Sequence, residues 1–278
     1  MLLQIVWNID PEIFRIGGFA LRYYSLFFVV VFLLGYNIMH NIYKDEGLQE
    51  DLVNKLLIYV IVGTILGARL GHTLFYEFDY FKHHLLEIVL PFKITDGKFE
   101  LTGYQGLASH GGAIGILLAV WLYSGNNKLS TLWVLDRLVI VVALGGFFIR
   151  LGNFFNSEIL GSPTDVAWAV VFTRVDLVPR HPAQFYEAFA YLFIFLALLY
   201  RYKIRKPLKV GWLFGLFLIL TFSARFLIEF FKEDQEPFER MLPLNMGQLL
   251  SLPFIIGGLY FLIRRRAKQK CKPAKSDS

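Results

Sequence analysis

Three arginines stand at the ends of long apolar runs, where a charged side chain is costly. Arg69 follows "YVIVGTILGA", Arg150 follows "VIVVALGGFFI" and Arg225 follows "GLFLILTFSA". An arginine at the centre of a membrane helix costs on the order of 2.5–3.5 kcal/mol, so each one needs a reason to be there. A guanidinium presents paired N–H donors that match a phosphate, and several at one depth therefore predict an anion-binding site.

Two simpler explanations compete with an anion site. Each arginine can snorkel, with its stem in the apolar layer and its charge among the lipid headgroups. Arg225 can also pair with Glu229, which lies at i+4 on the same helix face. For Asp136 and Arg137, at the start of the run that leads to Arg150, capping and anchoring are the expected roles. These explanations suit a single arginine, whereas three at one depth favour the anion site.

Further polar residues stand at the ends of the same apolar runs. Tyr24 opens the first run, and His110 precedes the segment "GGAIG", which begins at Gly111. Asn153 and Glu158 follow the second arginine, one turn and two turns on if its helix continues. Because histidine exchanges protons readily near neutral pH, His110 is a candidate base.

These residues need membrane-spanning helices to position them. Of the 278 residues, 56% are hydrophobic and only 18% are charged, whereas soluble domains average about 25% charged. A span needs about 20 mostly apolar residues. The candidate spans are 19–41, 52–75, 111–125, 131–151, 184–201, 209–231 and 247–264. The predicted fold class is therefore an all-α polytopic membrane protein with seven transmembrane helices.

The basic residues predict how these helices are oriented. Much of the net charge of +6 lies in 201–209 and in the tail after 263, and such segments favour the cytoplasmic side. With seven spans, the N-terminus is then outside (periplasmic), the C-terminus is cytoplasmic, and all three arginines lie toward the outer face. We expect one integral membrane domain over 1–267 and a basic disordered cytoplasmic tail over 268–278.

The longer outer loops predict a small subdomain on the outer face. An interfacial helix is expected near 79–90, and "AWAVVF" at 167–172 alternates weakly, as a short strand does.

Arg-Leu-Gly occurs in both "GARLG" (67–71) and "FIRLG" (148–152), although so short a repeat does not establish a duplication. Small residues let helix backbones approach closely. The glycines with this expected role are those at 111, 112, 115, 145, 146 and 152.

Several kinds of chemistry have no motif in this sequence. It contains no HExxH, CxxC, GxSxG or Walker loop, so no metal or cofactor is expected and serine hydrolysis has no support. The single cysteine, Cys271, lies in the basic tail and is a poor candidate nucleophile. Beside so many apolar spans, that tail is better interpreted as a membrane anchor than as a nucleic-acid site, and no nucleic-acid partner is expected.

Seven separated segments form a pattern that covers nearly the whole chain. They are "ALRYYS" (20–25), "GARLGH" (67–72), "SHGGAIG" (109–115), "RLGNFFNSEILGSPT" (150–164), "PRHPAQFYEA" (179–188), "RFLIEFFK" (225–232) and "MGQLLSLP" (246–253). In content and order they resemble the bacterial prolipoprotein diacylglyceryl transferases. The run Arg-Leu-Gly-Asn-Phe-x-Asn-x-Glu is the most specific part of the resemblance.

The resemblance implies a reaction and its partners. An enzyme of this family lies in the bacterial inner membrane with its active site toward the outer leaflet. It transfers the diacylglyceryl group of the membrane lipid phosphatidylglycerol to the lipobox cysteine of a prolipoprotein that still carries its signal peptide. A thioether forms and glycerol-1-phosphate leaves. The absence of a nucleophilic cysteine in this chain is then expected, because the substrate supplies the thiol.

The resemblance also implies roles for individual residues. Arg150 and Arg225 correspond to the family's essential arginines and His110 to its histidine in the His-Gly-Gly motif, so these three are the expected catalytic residues. The residues expected to bind substrate are Tyr24, Arg69, Gly111, Asn153, Glu158, Gly161 and Glu229.

Three positions depart from the family pattern. Ser157 stands where glycine is common, and Ile149 interrupts the usual Gly-Arg pair. Lys232 replaces a frequent arginine, which keeps the charge but loses the planar fork. These departures bear on packing and lipid contact rather than on the assignment.

Two questions stay open at this point. The base that takes the thiol proton is His110, Glu158 or Glu229, and Glu158 could instead hold Arg150 in position. A phospholipid transporter or flippase that grips anionic headgroups with the same arginines is the alternative function, and a structural scaffold is a third. A flippase moves lipid without a covalent product, whereas a scaffold would leave the arginines replaceable.

Overall fold

Nine α-helices make up most of the part of the chain that the structure describes. The structure is a computed structural model, and it describes residues 5–16, 19–90, 92–95, 98–101, 106–204, 209–233 and 244–264. The helices are α1 (Tyr23–Asp45), α2 (Glu50–Phe75), α3 (Phe78–Phe81), α4 (Leu86–Val89), α5 (Ser109–Asn126), α6 (Thr131–Asn156), α7 (Ala183–Ile204), α8 (Trp212–Ile228) and α9 (Met246–Ile263). The strands are β1 (Ile5–Trp7), β2 (Glu12–Ile16), β3 (Phe19–Arg22), β4 (Phe92–Thr95), β5 (Lys98–Leu101), β6 (Val170–Phe172) and β7 (Pro179–Arg180).

Six helices among the described residues are long and apolar enough to cross a membrane. They are α1, α2, α6, α7, α9 and the segment Trp212–Phe231, in which a 3₁₀ turn at Glu229–Phe231 follows α8. The chain is therefore a mostly helical, polytopic membrane protein. The predicted span at 111–125 corresponds to α5, which is not one of the six because it begins Ser-His-Gly-Gly and ends Gly-Asn.

Two helix boundaries differ from the expected spans. The first helix begins at Tyr23 rather than at 19, because Phe19–Arg22 forms strand β3, which pairs with β2. The fourth expected span ended at 151, whereas α6 continues to Asn156 and so carries Arg150 inside the helix. Hydropathy ends a predicted span at the first polar residues, but the helical backbone hydrogen bonds continue through them.

The chain divides into two compact units, and the first contains α6 from Leu135 onward, α7, α8, α9 and the start of α1. It also holds a three-stranded sheet in the order β1-β6-β7, with β1 parallel to β6 and β6 antiparallel to β7. Strand β6 confirms the strand expected within 167–172. Phe154 packs with Val170 and Phe172 in a buried cluster, so this sheet lies against the end of α6.

Asp136 fixes the start of α8 within the same unit. Its Oδ2 accepts a hydrogen bond from the Gly211 N–H at 2.6 Å, and its Oδ1 accepts one from the Phe214 N–H at 2.8 Å. These are N–H groups that a helix N-terminus leaves without an intrahelical partner. The expected capping role of Asp136 is confirmed, and the helix that it caps is α8.

The second unit contains the end of α1 from His40, helices α2 to α5, and the start of α6. Helices α2 and α5 cross at glycines: a Cβ added to Gly71 would lie 2.7 Å from the Gly111 Cα, and one added to Gly67 would lie 2.7 Å from the Gly115 Cα. The close approach expected at 111 and 115 is thus confirmed. In place of one interfacial helix near 79–90, the chain forms the two short helices α3 and α4.

Some expectations fall outside the described residues. The predicted tail at 268–278 does so, together with Cys271. So do residues 205–208 of the basic segment 201–209 and residues 234–243 of the last predicted outer loop. The expected single domain over 1–267 stays a prediction.

Candidate functional site

Arg150 lies near the end of α6, with a side chain that is 14% exposed. Its Nε is 2.9 Å from Oε2 of Glu187 on α7, and its Nη1 donates to Oδ1 of Asn153 at 3.1 Å. Snorkelling does not describe this arginine, because its charge is paired with a buried carboxylate rather than directed to headgroups.

A chain of four alternating charges runs through the first unit, and we call Arg150, Glu187, Lys232 and Glu229 the charge chain. Oε1 of Glu187 accepts a hydrogen bond from the Lys232 Nζ at 3.0 Å, and the same Nζ donates to Oε2 of Glu229 at 3.0 Å. The side chains of Glu187, Lys232 and Glu229 are 1%, 2% and 6% exposed. Because cation and carboxylate alternate, the four charges cancel, as burial requires.

Arg225 does not form the pair with Glu229 that their i, i+4 spacing predicts. Among the described residues, Arg225 has no ion-pair partner, and it is half-buried. Helix α8 ends at Ile228, so Glu229 begins the 3₁₀ turn and its carboxylate lies against the first turn of α9. A Cβ on Gly247 would be 2.5 Å from the Glu229 Cδ. The positive end of the α9 dipole favours a carboxylate in this place.

Helix α6 ends in a tight turn at Ser157. The Ser157 N–H bonds to the Phe154 carbonyl at 3.1 Å and the Glu158 N–H bonds to the Asn153 carbonyl at 2.9 Å, the paired bonds of a Schellman motif. Ser157 has φ 56°, a left-handed conformation that favours glycine. The turn explains why glycine is common here in the family that the chain resembles. Glu158 therefore lies beyond the helix rather than two turns along it.

The turn places the Glu158 carboxylate over two asparagine amides. Its Oε2 accepts from Nδ2 of Asn153 at 3.0 Å and its Oε1 accepts from Nδ2 of Asn156 at 3.1 Å. The Glu158 carbonyl in turn accepts from Nε2 of Gln184 at 2.6 Å. Glu158 thus acts on Arg150 through Asn153, whose amide it orients.

Tyr24 reaches the same place from the start of α1. Its ring lies on Gly152, where an added Cβ would collide with the ring carbons. Its hydroxyl interacts electrostatically with both Arg150 and Glu158. Gly152 therefore makes room for an aromatic side chain beside the guanidinium.

Gly161 joins the turn after α6 to the segment that carries Lys232. The two residues form an isolated antiparallel bridge, and the Gly161 carbonyl accepts from Nη1 of Arg180 at 3.3 Å. A Cβ on Gly161 would overlap the His181 carbonyl, so only glycine fits. Arg180 also bonds Asp176 at 2.6 Å, and these hydrogen bonds hold the pKa of Asp176 below its usual value.

Arg69, in the second unit, donates to two backbone carbonyls. Its Nη2 donates to the Glu87 carbonyl at 2.6 Å and its Nε donates to the Ile88 carbonyl at 3.2 Å. The guanidinium lies over the Phe81 ring, 4.7 Å from its centroid. Arg69 holds helices α3 and α4 against α2, and its expected role in substrate binding stays a prediction.

His110 and Gly111 open α5 in the same unit. His110 is exposed, and Gly111 is buried where α2 crosses α5. A Cβ on Gly111 would lie 2.8 Å from the Gly71 Cα. Arg69, His110 and Gly111 thus belong to the second unit, and the other seven expected site residues belong to the first.

The sequence places Gln184 and Glu187 among the polar residues at the depth of the arginines, but sequence reasoning gave no site role to the polar face of α7. Gln184, Glu187 and Tyr191 follow the i, i+3, i+7 spacing of one helix face, and we call them the α7 stripe. Gln184 bonds to the turn that follows Arg150, and Glu187 pairs with Arg150 itself. The spacing of these polar residues on one face of an otherwise apolar helix was the signal that could have predicted their place in the site. The pairing of Lys232 with Glu187 and Glu229 was missed as well, since these two carboxylates lie on separate segments.

The chemistry of this arrangement is that of an anion site. Among the described residues, no group of three or more His, Cys, Asp or Glu side chains is placed to hold a metal ion. The first unit instead offers an arginine fixed by a buried carboxylate and a second arginine without an ion-pair partner in the described part of the chain. Fold and site together define a polytopic membrane protein with a buried, arginine-centred charge chain.

Comparison with known proteins identifies the family. The model of the prolipoprotein diacylglyceryl transferase family matches residues 11–264. The phosphatidylglycerol–prolipoprotein diacylglyceryl transferase of Bacteroides fragilis is 44% identical over 274 residues, which cover 98% of this chain and 99% of that protein. The protein of the same name from Tolumonas auensis is 46% identical over 270 residues, 97% of this chain and 100% of the relative. The chain belongs to the prolipoprotein diacylglyceryl transferase family.

Proposed function

We propose that this chain transfers the diacylglyceryl group of phosphatidylglycerol to the lipobox cysteine of a prolipoprotein. The cysteine becomes a thioether and glycerol-1-phosphate leaves, which is the first step of lipoprotein maturation. The names of relatives that are 44% and 46% identical support this reaction. The observation that carries it in this chain is Arg150, held 2.9 Å from a carboxylate that is 1% exposed.

Arg150 keeps donors free for a phosphate. A guanidinium has five N–H donors and no acceptor. Among the described residues, its Nε lies 2.9 Å from Glu187 and its Nη1 donates to Asn153, which leaves N–H groups on Nη1 and Nη2 for incoming oxygens. A phosphate oxygen bound there would be stabilised by a charge that needs no reorganisation during the reaction.

Arg225 is the proposed second phosphate contact. The charge chain is neutral by itself, and Arg225 adds a positive charge that has no ion-pair partner in the described part of the chain. A half-buried guanidinium is costly without an anion. The phosphodiester of phosphatidylglycerol supplies that anion.

The proposed reaction is a displacement at the glyceryl carbon that carries the phosphate. A base removes the proton from the substrate thiol, since the thiolate is the nucleophile. A C–S bond forms as the C–O bond breaks, and the electron pair moves to the phosphate oxygen of glycerol-1-phosphate. Arg150 and Arg225 stabilise the charge that grows on this oxygen.

His110 is the base that we favour. Its imidazole has no hydrogen-bond partner among the described residues, whereas both oxygens of Glu158 accept from amides and Glu229 is bonded to Lys232. His110→Gln should therefore lower the rate and change its pH profile, because a glutamine amide cannot accept the thiol proton. An unchanged rate and profile would exclude His110 and return the choice to the two glutamates.

The remaining expected site residues have proposed supporting roles. Tyr24, Asn153 and Gly161 shape the space around Arg150. Arg69 stabilises the second unit through its hydrogen bond to the Glu87 carbonyl. Gly111 stabilises it through the contact between α2 and α5, which also fixes the start of α5.

The orientation in the membrane is also a proposal. With α5 as a seventh span, the basic segments at 201–209 and after 263 lie in the cytoplasm and the N-terminus lies outside. The three arginines then lie toward the outer leaflet of a bacterial inner membrane. The lipid and the signal peptide both reach this site from the bilayer, and no nucleic-acid partner is proposed.

The mass of a lipobox peptide tests the function. Purified protein is incubated with phosphatidylglycerol vesicles and a signal peptide that carries the lipobox cysteine, and the peptide is weighed by mass spectrometry. We expect a gain of one diacylglyceryl unit, and none on a matched peptide with serine in place of cysteine. A flippase would move labelled lipid between leaflets and leave the peptide mass unchanged, which would overturn the proposal.

A further inference from the structure

Gln184 links helix α7 to the turn that follows α6. It is the second residue of α7, it is 0% exposed, and its Nε2 donates to the Glu158 carbonyl at 2.6 Å. A carbonyl oxygen can only accept, so the amide atom that faces it is the nitrogen. Neither the proposed phosphate contacts nor the proposed base uses this side chain.

The backbone is strained on both sides of Glu158. Ser157 has φ 56° and Ile159 has φ 55°, and residues with a Cβ seldom adopt such left-handed conformations. They persist only where neighbouring contacts fix them. The Glu158 carbonyl lies between these two residues, so the hydrogen bond from Gln184 holds the turn in its strained conformation.

The other half of the Gln184 amide is unsatisfied. Its Oε1 is buried and has no hydrogen-bond partner among the described residues. A buried acceptor without a donor costs free energy, so an apolar side chain of similar length would suit the packing at least as well. The amide is therefore better explained by what its Nε2 positions than by a gain in stability.

The group that Gln184 positions reaches Arg150 through two further hydrogen bonds. Oε2 of Glu158 accepts from Nδ2 of Asn153 at 3.0 Å, and Oδ1 of Asn153 accepts from Nη1 of Arg150 at 3.1 Å. Glu187, on the same face of α7 as Gln184, lies 2.9 Å from Nε of the same arginine. Helix α7 therefore fixes the guanidinium at two nitrogens, directly at Nε and indirectly at Nη1.

We infer that Gln184 is a positioning residue for Arg150. By holding the Glu158 carbonyl, it directs the Glu158 carboxylate to Asn153 and so sets the direction in which the remaining guanidinium donors point. This inference rests on the proposed function for the identity of the anion, which is the phosphate of phosphatidylglycerol or of the leaving glycerol-1-phosphate. No bond to Gln184 forms or breaks in the reaction.

Gln184→Met tests this role, with Thr64→Val as the matched control. Each removes a side-chain donor that lies 2.6 Å from a backbone carbonyl, but the Thr64 bond goes to Val60 within α2 of the second unit. Binding of glycerol-1-phosphate to the full-length protein in nanodiscs is measured by calorimetry, and transfer to a lipobox peptide is measured on the same preparations. We expect Gln184→Met to bind about tenfold more weakly and to transfer about tenfold to a hundredfold more slowly, the effect of a misplaced catalytic group. Its melting temperature should stay close to that of the unaltered protein, and Thr64→Val should bind and transfer normally.

Gln184→Glu separates the hydrogen bond from the shape of the side chain, and it serves as the second variant if Gln184→Met does not fold. A glutamate has an O–H donor for the Glu158 carbonyl only while it is protonated. Its rate relative to the unaltered protein should therefore be highest at low pH and fall as the pH rises, whereas the relative rate of Gln184→Met should be low throughout. The titrating groups of the site, among them Glu158, Glu187 and His181, are the same in each protein, so the ratio of rates cancels their own pH dependence.

Two results would overturn the inference. One is an unchanged rate and an unchanged glycerol-1-phosphate affinity in Gln184→Met, with lipid transfer intact, which would refute this inference alone. The other is a lowered melting temperature with no recovery of Gln184→Glu at low pH, which would assign Gln184 to packing. A protein whose glycerol-1-phosphate affinity depends on Gln184 in the expected way, but which transfers no lipid, would refute the proposed function alone.

Discussion

Arg-Leu-Gly occurs twice in this chain, at the ends of α2 and α6, and the two copies are built differently. Arg69 donates to the main-chain carbonyls of Glu87 and Ile88 at 2.6 and 3.2 Å. Arg150 instead lies 2.9 Å from the carboxylate of Glu187, at one end of a chain of four charges of which the other three are buried. The same tripeptide therefore holds a polypeptide segment in one unit and a set of charges in the other.

The glycine of each copy is contacted by a different kind of atom. Gly71 lies against backbone, since a Cβ there would be 2.7 Å from the Gly111 Cα. Gly152 lies against the ring of Tyr24, a side chain that can rotate. One glycine thus sets the distance between two helices, whereas the other makes room for an aromatic residue beside Arg150.

The two helices also end differently. Helix α2 is followed by Tyr76 in an ordinary right-handed conformation, with φ −114°. Helix α6 is followed by Ser157 at φ 56° and, two residues on, Ile159 at φ 55°. Such conformations cost of order 1–3 kcal/mol each and cluster at functional sites. The end of α6, with its strained backbone, is the one that directs Glu158 to Asn153. The role of each Arg-Leu-Gly copy is therefore decided by the residues that contact it.

Removing the carboxylate of Glu187 should have the largest effect on stability. Glu187→Gln leaves Arg150 and Lys232 buried with one carboxylate fewer, and breaking a buried pair costs about 3–5 kcal/mol. We expect a large drop in melting temperature in detergent micelles. The double variant Glu187→Gln with Arg150→Met removes both members of one ion pair, leaves Lys232 bonded to Glu229, and should recover part of that loss. A cost below about 1 kcal/mol for the single variant would contradict a buried charge chain.

Substitutions at Gly71 and Gly152, the glycines of the two Arg-Leu-Gly copies, should affect stability and activity differently. Gly71→Ala forces α2 and α5 apart and should lower the free energy of unfolding by about 1–3 kcal/mol, as overpacking does. Gly152→Ala should cost less stability because the Tyr24 ring can turn away, but it should lower transfer activity more. Melting temperature and the rate of peptide modification are measured on both variants. Equal losses of activity would show that the two Arg-Leu-Gly copies are equivalent.

Much of the helical architecture could be predicted from apolar runs and the positions of the arginines. The pairing of the charges could not. The i, i+4 rule predicted a bond between Arg225 and Glu229, but α8 ends between them and Glu229 bonds to Lys232 instead. Glu187 was visible only as one polar residue on an apolar helix, because its two partners come from separate segments. Such contacts depend on tertiary packing, which sequence spacing does not encode.

Relieving the strained turn after α6 should have a smaller effect. Ser157→Gly keeps the Schellman bonds and removes the cost of a Cβ at φ 56°, so it should stabilise the protein by up to about 1 kcal/mol with activity unchanged. Ser157→Ala, which keeps a Cβ without the hydroxyl, is the control and should not stabilise. A stabilised but inactive Ser157→Gly would show that the Ser157 side chain itself takes part in the site.

The partly exposed ion pair between Arg180 and Asp176 should matter least. The hydrogen bonds from Arg180 lower the pKa of Asp176, whose side chain is 30% exposed. A lowered pKa contributes stability above the unfolded value of about 3.9, and that contribution is lost as the pH falls through the folded value. Asp176→Asn should therefore lower the free energy of unfolding by under about 1 kcal/mol at pH 7, and by progressively less below pH 4. A difference that grows on acidification would contradict the pairing.

The rate of diacylglyceryl transfer in Arg150→Lys and Arg69→Lys, measured side by side on one lipobox peptide, tests the central claim most directly. A lysine can still donate to the carbonyls that Arg69 binds. At position 150, however, its three donors lie on one nitrogen, so it lacks the planar fork that can face Glu187 with one nitrogen and a phosphate with the other two. We predict that Arg150→Lys loses activity about a hundredfold or more, while Arg69→Lys stays within about tenfold of the unaltered protein. Equal losses in the two variants, or full activity in Arg150→Lys, would contradict the account.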